Sequence, residues 1–199
     1  TAKPAFLDQL PPSGSLEGYL FPDSYQFEPN TPADQVVQRM LDDFQRHLTP
    51  AMLSAYKAQG LSEDQAVIIA SIVEREAETP SERPIIASVY LNRVHRGMKL
   101  QADPTVQYSL IPALGTPVAG TYWKGGLTLA DLKNPSPYNT YVVGGLPPGP
   151  ICNPGLASLE AVAKPATTDY LYFVARPDGT HAFAKTLEEQ EQNVAKYQQ

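Results

Sequence analysis

One cysteine, three histidines and no run of apolar residues near membrane-spanning length leave several functions without support in this chain of 199 residues. Cys152 has no partner for an intramolecular disulfide, and its neighbours Pro150, Asn153 and Pro154 supply no base to activate a thiol. His47, His95 and His181 lie far apart and form no HxxxH or HExxH pattern, so no metal or other cofactor is expected. No apolar run approaches the ~18 residues of a spanning helix, and no signal peptide is visible, so the chain itself is expected to be soluble and to make no membrane contact. Cationic clusters are also missing, and the net charge is -6, which argues against nucleic acid as a partner. Ser71 and Ser88 lack a glycine elbow, so a serine hydrolase is unsupported. The glycine pairs Gly125-Gly126 and Gly144-Gly145 read as turns rather than phosphate loops.

What the chain does contain is a 42% hydrophobic composition, enough for a sizeable core, punctuated by 20 prolines and 13 glycines. Residues 1–30 read as extended chain laid across the domain. Thr31-Pro32-Ala33-Asp34 reads as the capped start of a helix to about His47. Thr49-Pro50 opens a second helix, ending at Gly60, and Ser62-Glu63-Asp64-Gln65 is a capping box opening a third. Pro80 stops that helix, and Ser81-Glu82-Arg83-Pro84 begins another whose apolar face suits packing against it as a hairpin. Periodicity then disappears from Gly97 to Gly126, including a long loop to Trp123. A short helix from Thr128 to Leu132 and a stretch of turns follow. Asn153-Pro154 caps a helix to about Lys164. Two strand-like runs, Tyr170 to Arg176 and His181 to Lys185, flank Pro177-Asp178-Gly179 as a hairpin, and Thr186 caps a final helix.

The third helix carries an anomaly. Ile69, Ile72, Val73 and Glu76 recur at i, i+3, i+4 and i+7, so at about 100° per residue Glu76 falls within ~20° of Ile69, where a core residue belongs. Glu74 lies roughly 160° away and cannot share that environment. A carboxyl group held against aliphatic side chains is harder to ionise, which is how a general acid is made. The plainer alternative is a helix end with Glu74, Glu76, Glu78 and Glu82 as a solvated acidic face beside Arg75 and Arg83. Asp103-Pro104-Thr105 and Tyr138-Asn139-Thr140-Tyr141 combine rings, amides, hydroxyls and a carboxylate, a mixture suited to sugars; a helix start and core tyrosines are the alternatives.

Five ordered motifs settle more than the spacing does. Glu17-Gly18-Tyr19-Leu20-Phe21-Pro22-Asp23, Ala70-Ser71-Ile72-Val73-Glu74-Arg75-Glu76, Leu100-Gln101-Ala102-Asp103-Pro104-Thr105-Val106, Tyr138-Asn139-Thr140-Tyr141 and Gly145-Leu146-Pro147-Pro148-Gly149-Pro150-Ile151 resemble, in order, those of the endolytic murein transglycosylases (MltG, YceG-like). Tyr170 to Ala175 and Asp178-Gly179-Thr180-His181 also look like that family. Ala77 and Ala102 stand where members often carry a hydroxyl residue, and Ser24 where they often carry Thr, which leaves the contacts behind Glu76 open.

The resemblance implies an α+β fold: a helical core with the catalytic glutamate on a buried helix, long irregular loops forming a groove, and a small antiparallel sheet including the C-terminal hairpin. It implies one catalytic domain over residues 1–199, without the N-terminal membrane anchor and LysM-like module that members carry, and a site on the periplasmic face of the bacterial inner membrane. The implied reaction cuts peptidoglycan glycan strands between N-acetylmuramic acid and N-acetylglucosamine, with Glu76 as acid and then base and the C6 hydroxyl of the muramic residue as nucleophile. Gln101, Asp103, Thr105, Tyr138, Asn139 and Tyr141 are the expected substrate-binding residues, and Glu74 and Ser71 the expected supports behind Glu76. A monomer is expected, with cell-wall synthases or division proteins as further partners. A hydrolytic muramidase with Asp103 activating water, and a nonenzymatic wall-binding or scaffold domain, are the alternatives.

Overall fold

Seven helices and one two-stranded antiparallel sheet make up the described part of the computed structural model, residues 14–111 and 123–198. The expectations for residues 1–13 and for the part of the long loop at 112–122 lie outside the described residues. The helices are α1 (Ala33–His47), α2 (Pro50–Ala58), α3 (Glu63–Glu76), α4 (Arg83–His95), α5 (Asp103–Leu110), α6 (Leu156–Ala163) and α7 (Leu187–Tyr197); the strands are β1 (Tyr172–Ala175) and β2 (His181–Ala184). This is an α+β fold.

α3 is its centre. The run from Ala66 to Val73 is buried on every side, as a helix must be when α2, α4, α5 and α6 all pack against it. Its start is fixed by the reciprocal capping box of Ser62 and Gln65. A single turn of 3₁₀ helix, Pro80–Glu82, leads into α4, which returns along α3 as the second arm of a hairpin. Thr49 caps α2 through the Met52 amide, and Thr186 and Glu189 form a second capping box at α7.

Four sequence expectations shift. Thr31 does not cap α1: its hydroxyl donates to the Glu28 carbonyl at 2.7 Å, and Pro32 occupies the cap position without a side-chain bond. Asn153 does not cap α6, because its Oδ1 accepts from the Gly18 and Leu20 amides and pins the N-terminal segment. The helix expected at Thr128 to Leu132 is a single 3₁₀ turn, Asp131–Lys133. The aperiodic stretch after Gly97 contains α5, whose N-terminal turn is buried at Pro104, Thr105 and Val106.

Residues 14–25 lie against the helices through Tyr19 and Phe21, both buried, and the Tyr19 hydroxyl donates to Asp64 at the start of α3. Gly18 is required there. Its φ is +97°, and a Cβ would stand 2.3 Å from the Pro150 side chain. The Pro-rich run before Ile151 is anchored in turn by the Ile151 amide, which donates to Ser71 Oγ on α3 at 3.1 Å. At the other end, the hairpin pairs Tyr172 with Ala184 and Ala175 with His181, and α7 packs across both strands.

Candidate active site

α3 ends at Glu76, because Ala77 turns to extended backbone. The Glu76 side chain therefore leaves the helix at the edge of the core, half-buried. It opens into a pocket of about 300 Å³ bounded by α4, the turn at Leu100 to Asp103, Tyr141, the hairpin and α7. Glu76 Oε1 accepts from the Tyr90 hydroxyl at 2.6 Å. Tyr90 is buried on α4, and its ring meets Phe173 of β1 edge to face at 5.9 Å. Burial raises the Glu76 carboxyl from the ordinary 4.5 to about 7. The Tyr90 bond favours the anion and opposes this, the Asp103 charge adds to it, and Arg75 opposes it. Such a group holds its proton near neutral pH and can also release it.

Glu74 faces the other way. Its Oε2 accepts from the Gly155 amide at 3.1 Å and the Ser158 hydroxyl at 2.7 Å, and its Oε1 stands 3.8 Å from the Arg83 guanidinium. It thus supplies negative charge and an acceptor at the N-terminus of α6, which has no side-chain cap of its own. Ser71 is fully buried and bonds the Ile68 carbonyl and the Ile151 amide. Both residues hold backbone together, and no bond joins either to Glu76.

Of the six expected substrate-binding residues, the structure brings three to the pocket: Gln101, Asp103 and Tyr141. Gln101 adopts a positive φ of 48°, a strained conformation held by its amide bond to the Thr140 carbonyl at 3.2 Å. Asp103 is exposed, and its Oδ1 accepts from the Tyr141 hydroxyl at 2.6 Å. The other three lie elsewhere. Thr105 is fully buried and shares a hydroxyl network with Thr140 and the Ala102 carbonyl. Asn139 is fully buried too. It donates to the Leu132 and Asn134 carbonyls and accepts from the Tyr141 amide, so it shapes the loop that carries Tyr141. Tyr138 packs on Tyr108 at 4.7 Å in an aromatic cluster with Trp123, over whose ring the Arg75 guanidinium lies at 4.3 Å.

Tyr90, Arg93 and His181 line the pocket without having been singled out from sequence for it. For Arg93 a signal exists: Ile86, Val89, Tyr90 and Arg93 repeat the i, i+3, i+4, i+7 pattern that exposed Glu76. Tyr90 and Arg93 thus share one face of α4. A larger hollow of about 640 Å³ lies between α2 and α6, but its lining is mainly alanine and proline.

Two substitutions are expected to move Glu76 in opposite directions. Tyr90→Phe removes the bond to the anion, so the Glu76 midpoint rises, by about one pH unit if the bond is of ordinary strength. Asp103→Asn removes a neighbouring negative charge, so the midpoint falls. Carboxyl carbon NMR titration of Glu76 in the three proteins reads both signs, and shifts of the same sign would refute this account of the site.

The YceG-like family model matches residues 3–196. An endolytic murein transglycosylase of Bacillus subtilis is 40% identical over 183 residues, covering 92% of this chain and 48% of the relative. One of Streptococcus pneumoniae (strain D39) is 33% identical over 200 residues, covering 98% of this chain and 35% of the relative. The crystal structure of a YceG-like protein from Listeria monocytogenes superposes with a TM-score of 0.77 at 40% identity, covering 89% of this chain and 55% of that one. The chain thus spans between about a third and just over half of the length of these relatives.

Proposed function

Since the chain belongs to the YceG-like family, we propose that it is the catalytic part of an endolytic lytic transglycosylase that cuts peptidoglycan strands internally, outside the cytoplasmic membrane where that polymer lies. The observation that carries the reading is Glu76: a carboxyl raised to about 7, bonded to a buried tyrosine and facing a polar pocket. The curated relatives named as endolytic murein transglycosylases support it.

In this mechanism protonated Glu76 gives its proton to the glycosidic oxygen between N-acetylmuramic acid and N-acetylglucosamine. The C1–O bond breaks with its electron pair leaving on that oxygen, and positive charge develops at C1 of the muramic residue, where the acetamido oxygen can stabilise it. The Glu76 carboxylate then takes the proton from the C6 hydroxyl as that oxygen bonds to C1, closing a 1,6-anhydro ring. No water is consumed, so one carboxyl group suffices where hydrolysis usually needs two. A pocket of about 300 Å³ can hold the hydroxyl near C1, which favours this intramolecular attack.

Asp103 in the same pocket favours one second reading, a hydrolytic muramidase in which Asp103 activates water. The two differ by one water in the product. Mass spectrometry of purified, peptide-free glycan after digestion is expected to show 1,6-anhydro ends. Reducing ends would favour hydrolysis, and release of no fragments would favour a wall-binding role.

A further inference from the structure

The Asp178-Gly179-Thr180-His181 motif has no part in the mechanism above, yet it delivers an imidazole to the same pocket. His181 starts β2 and is buried, with 8% of its surface exposed. Glu82, from the 3₁₀ turn ahead of α4, grips it twice: Oε1 accepts from the His181 amide at 3.0 Å, and Oε2 accepts from ring Nδ1 at 2.8 Å. An ionised carboxylate only accepts, so the neutral ring carries its proton on Nδ1 and leaves Nε2 as a bare acceptor. The ring meets Phe173 edge to face at 5.2 Å, and Phe173 meets Tyr90, the partner of Glu76, in the same way at 5.9 Å. His181 and Glu76 thus line one pocket, each fixed by its own partner.

We infer that His181 is a substrate-binding residue whose Nε2, kept as an acceptor by Glu82, takes a hydrogen bond from a hydroxyl group of the amino-sugar strand held beside Glu76. This rests on the proposed reading of the pocket as a glycan site. Three other polar groups near Glu76 are committed: the Tyr90 hydroxyl to Glu76, the Tyr141 hydroxyl to Asp103, and Arg93 to backbone carbonyls. A sugar presents several hydroxyl donors, and an acceptor nitrogen on a locked ring orients one of them at little entropic cost.

The grip by Glu82 gives the test a sharp form. In Glu82→Gln the single amide oxygen is needed by the His181 backbone N–H, so the amide NH₂ faces Nδ1. The ring must then accept at Nδ1 and move its proton to Nε2, which turns the acceptor into a donor without removing a side chain. His181→Asn keeps a polar atom near the Nδ1 position and loses Nε2; His181→Gln places an amide oxygen near the Nε2 position. On peptide-free glycan, Glu82→Gln and His181→Asn are expected to raise KM about tenfold, as for one lost hydrogen bond, and His181→Gln to recover most of that loss. The direct readout is the ¹⁵N resonance of Nε2 in the Glu76→Gln protein, which is expected to shift when glycan oligomers are added. A shifted Nε2 supports the contact even if the native protein cuts nothing, an outcome that would remove the proposed reaction alone. Active enzyme with an unmoved Nε2, and an unchanged KM in folded Glu82→Gln, would overturn the inference and leave His181 as a staple between β2 and the 3₁₀ turn.

Discussion

Glu76→Gln is expected to abolish glycan cleavage while making the fold more stable above pH 7. The first half follows from the proposed role of Glu76 as the group that gives and retakes the proton, for which a fall in kcat of at least about a hundredfold is the ordinary scale. The second half follows from linkage. Glu76 titrates near 7 in the folded chain against 4.5 ordinarily, so between these values the folded state holds more protons than the unfolded state. Stability therefore falls as pH rises through that window. Below about pH 4.5 both states are protonated and no cost exists; above 7 both are ionised and the full cost is present, up to about 3 kcal/mol. Glutamine never ionises and can still accept from the Tyr90 hydroxyl. Thermal melts of the two proteins should then nearly coincide at pH 4.5 and separate by several degrees at pH 8, the variant being higher. A variant less stable than the native chain at pH 8, or a gap independent of pH, would show that burial is not what holds the proton on Glu76.

The part of this site that periodicity exposes is the part made by helices. Glu76 and Glu74 diverge because α3 is regular, and the structure separates them as the angles require: one opens to the pocket, the other binds the start of α6. The two capping boxes, at Ser62 and Thr186, are local patterns with local partners and were legible for the same reason. Polar residues outside such patterns are different. Thr105 and Asn139 have side chains able to hold a sugar, but both are consumed by the chain itself, Thr105 by Thr140 and Ala102, Asn139 by Leu132 and Asn134. Nothing local tells a hydroxyl that binds ligand from one that binds backbone. A helix start at Asp103-Pro104-Thr105 was one alternative, but the extent of α5 was hidden because three of its residues are buried by tertiary packing rather than by an apolar stripe of its own. The Glu82 and His181 pair joins positions 99 residues apart, a distance across which spacing carries no information.

Arg93→Met is expected to be the most destabilising single change near the pocket, by roughly 3–5 kcal/mol, although it deletes no ion pair with a carboxylate. Arg93 is 7% exposed, and burial lowers its proton affinity. It remains a cation because two of its nitrogens meet well-placed oxygens: Nε the Leu171 carbonyl at 2.6 Å, and Nη1 the Leu100 carbonyl at 2.7 Å, with Lys99 O at 3.2 Å and Gln101 Oε1 at 3.4 Å more loosely held. The guanidinium also lies over the Tyr172 ring at 5.0 Å. One side chain thus ties the approach to β1 to the turn that positions Gln101 and Asp103. Methionine fills the volume but leaves those carbonyls without a donor in the interior. Lysine cannot replace the fork either, since a single ammonium does not match donors pointing at Leu171 and Leu100 from separate nitrogens, so Arg93→Lys should recover only part of the loss. The turn would then lose the support for the positive φ of Gln101, and the Ala102 amide, which donates to Thr140 Oγ1 at 3.0 Å, should exchange its hydrogen faster. Urea unfolding and amide exchange read the two effects separately. A variant within about 1 kcal/mol of the native chain, with Ala102 protection unchanged, would mean that the Thr140 network alone fixes the turn; a large stability loss with faster exchange at Ala102 would make Arg93 the residue through which the helical core holds the pocket wall in place.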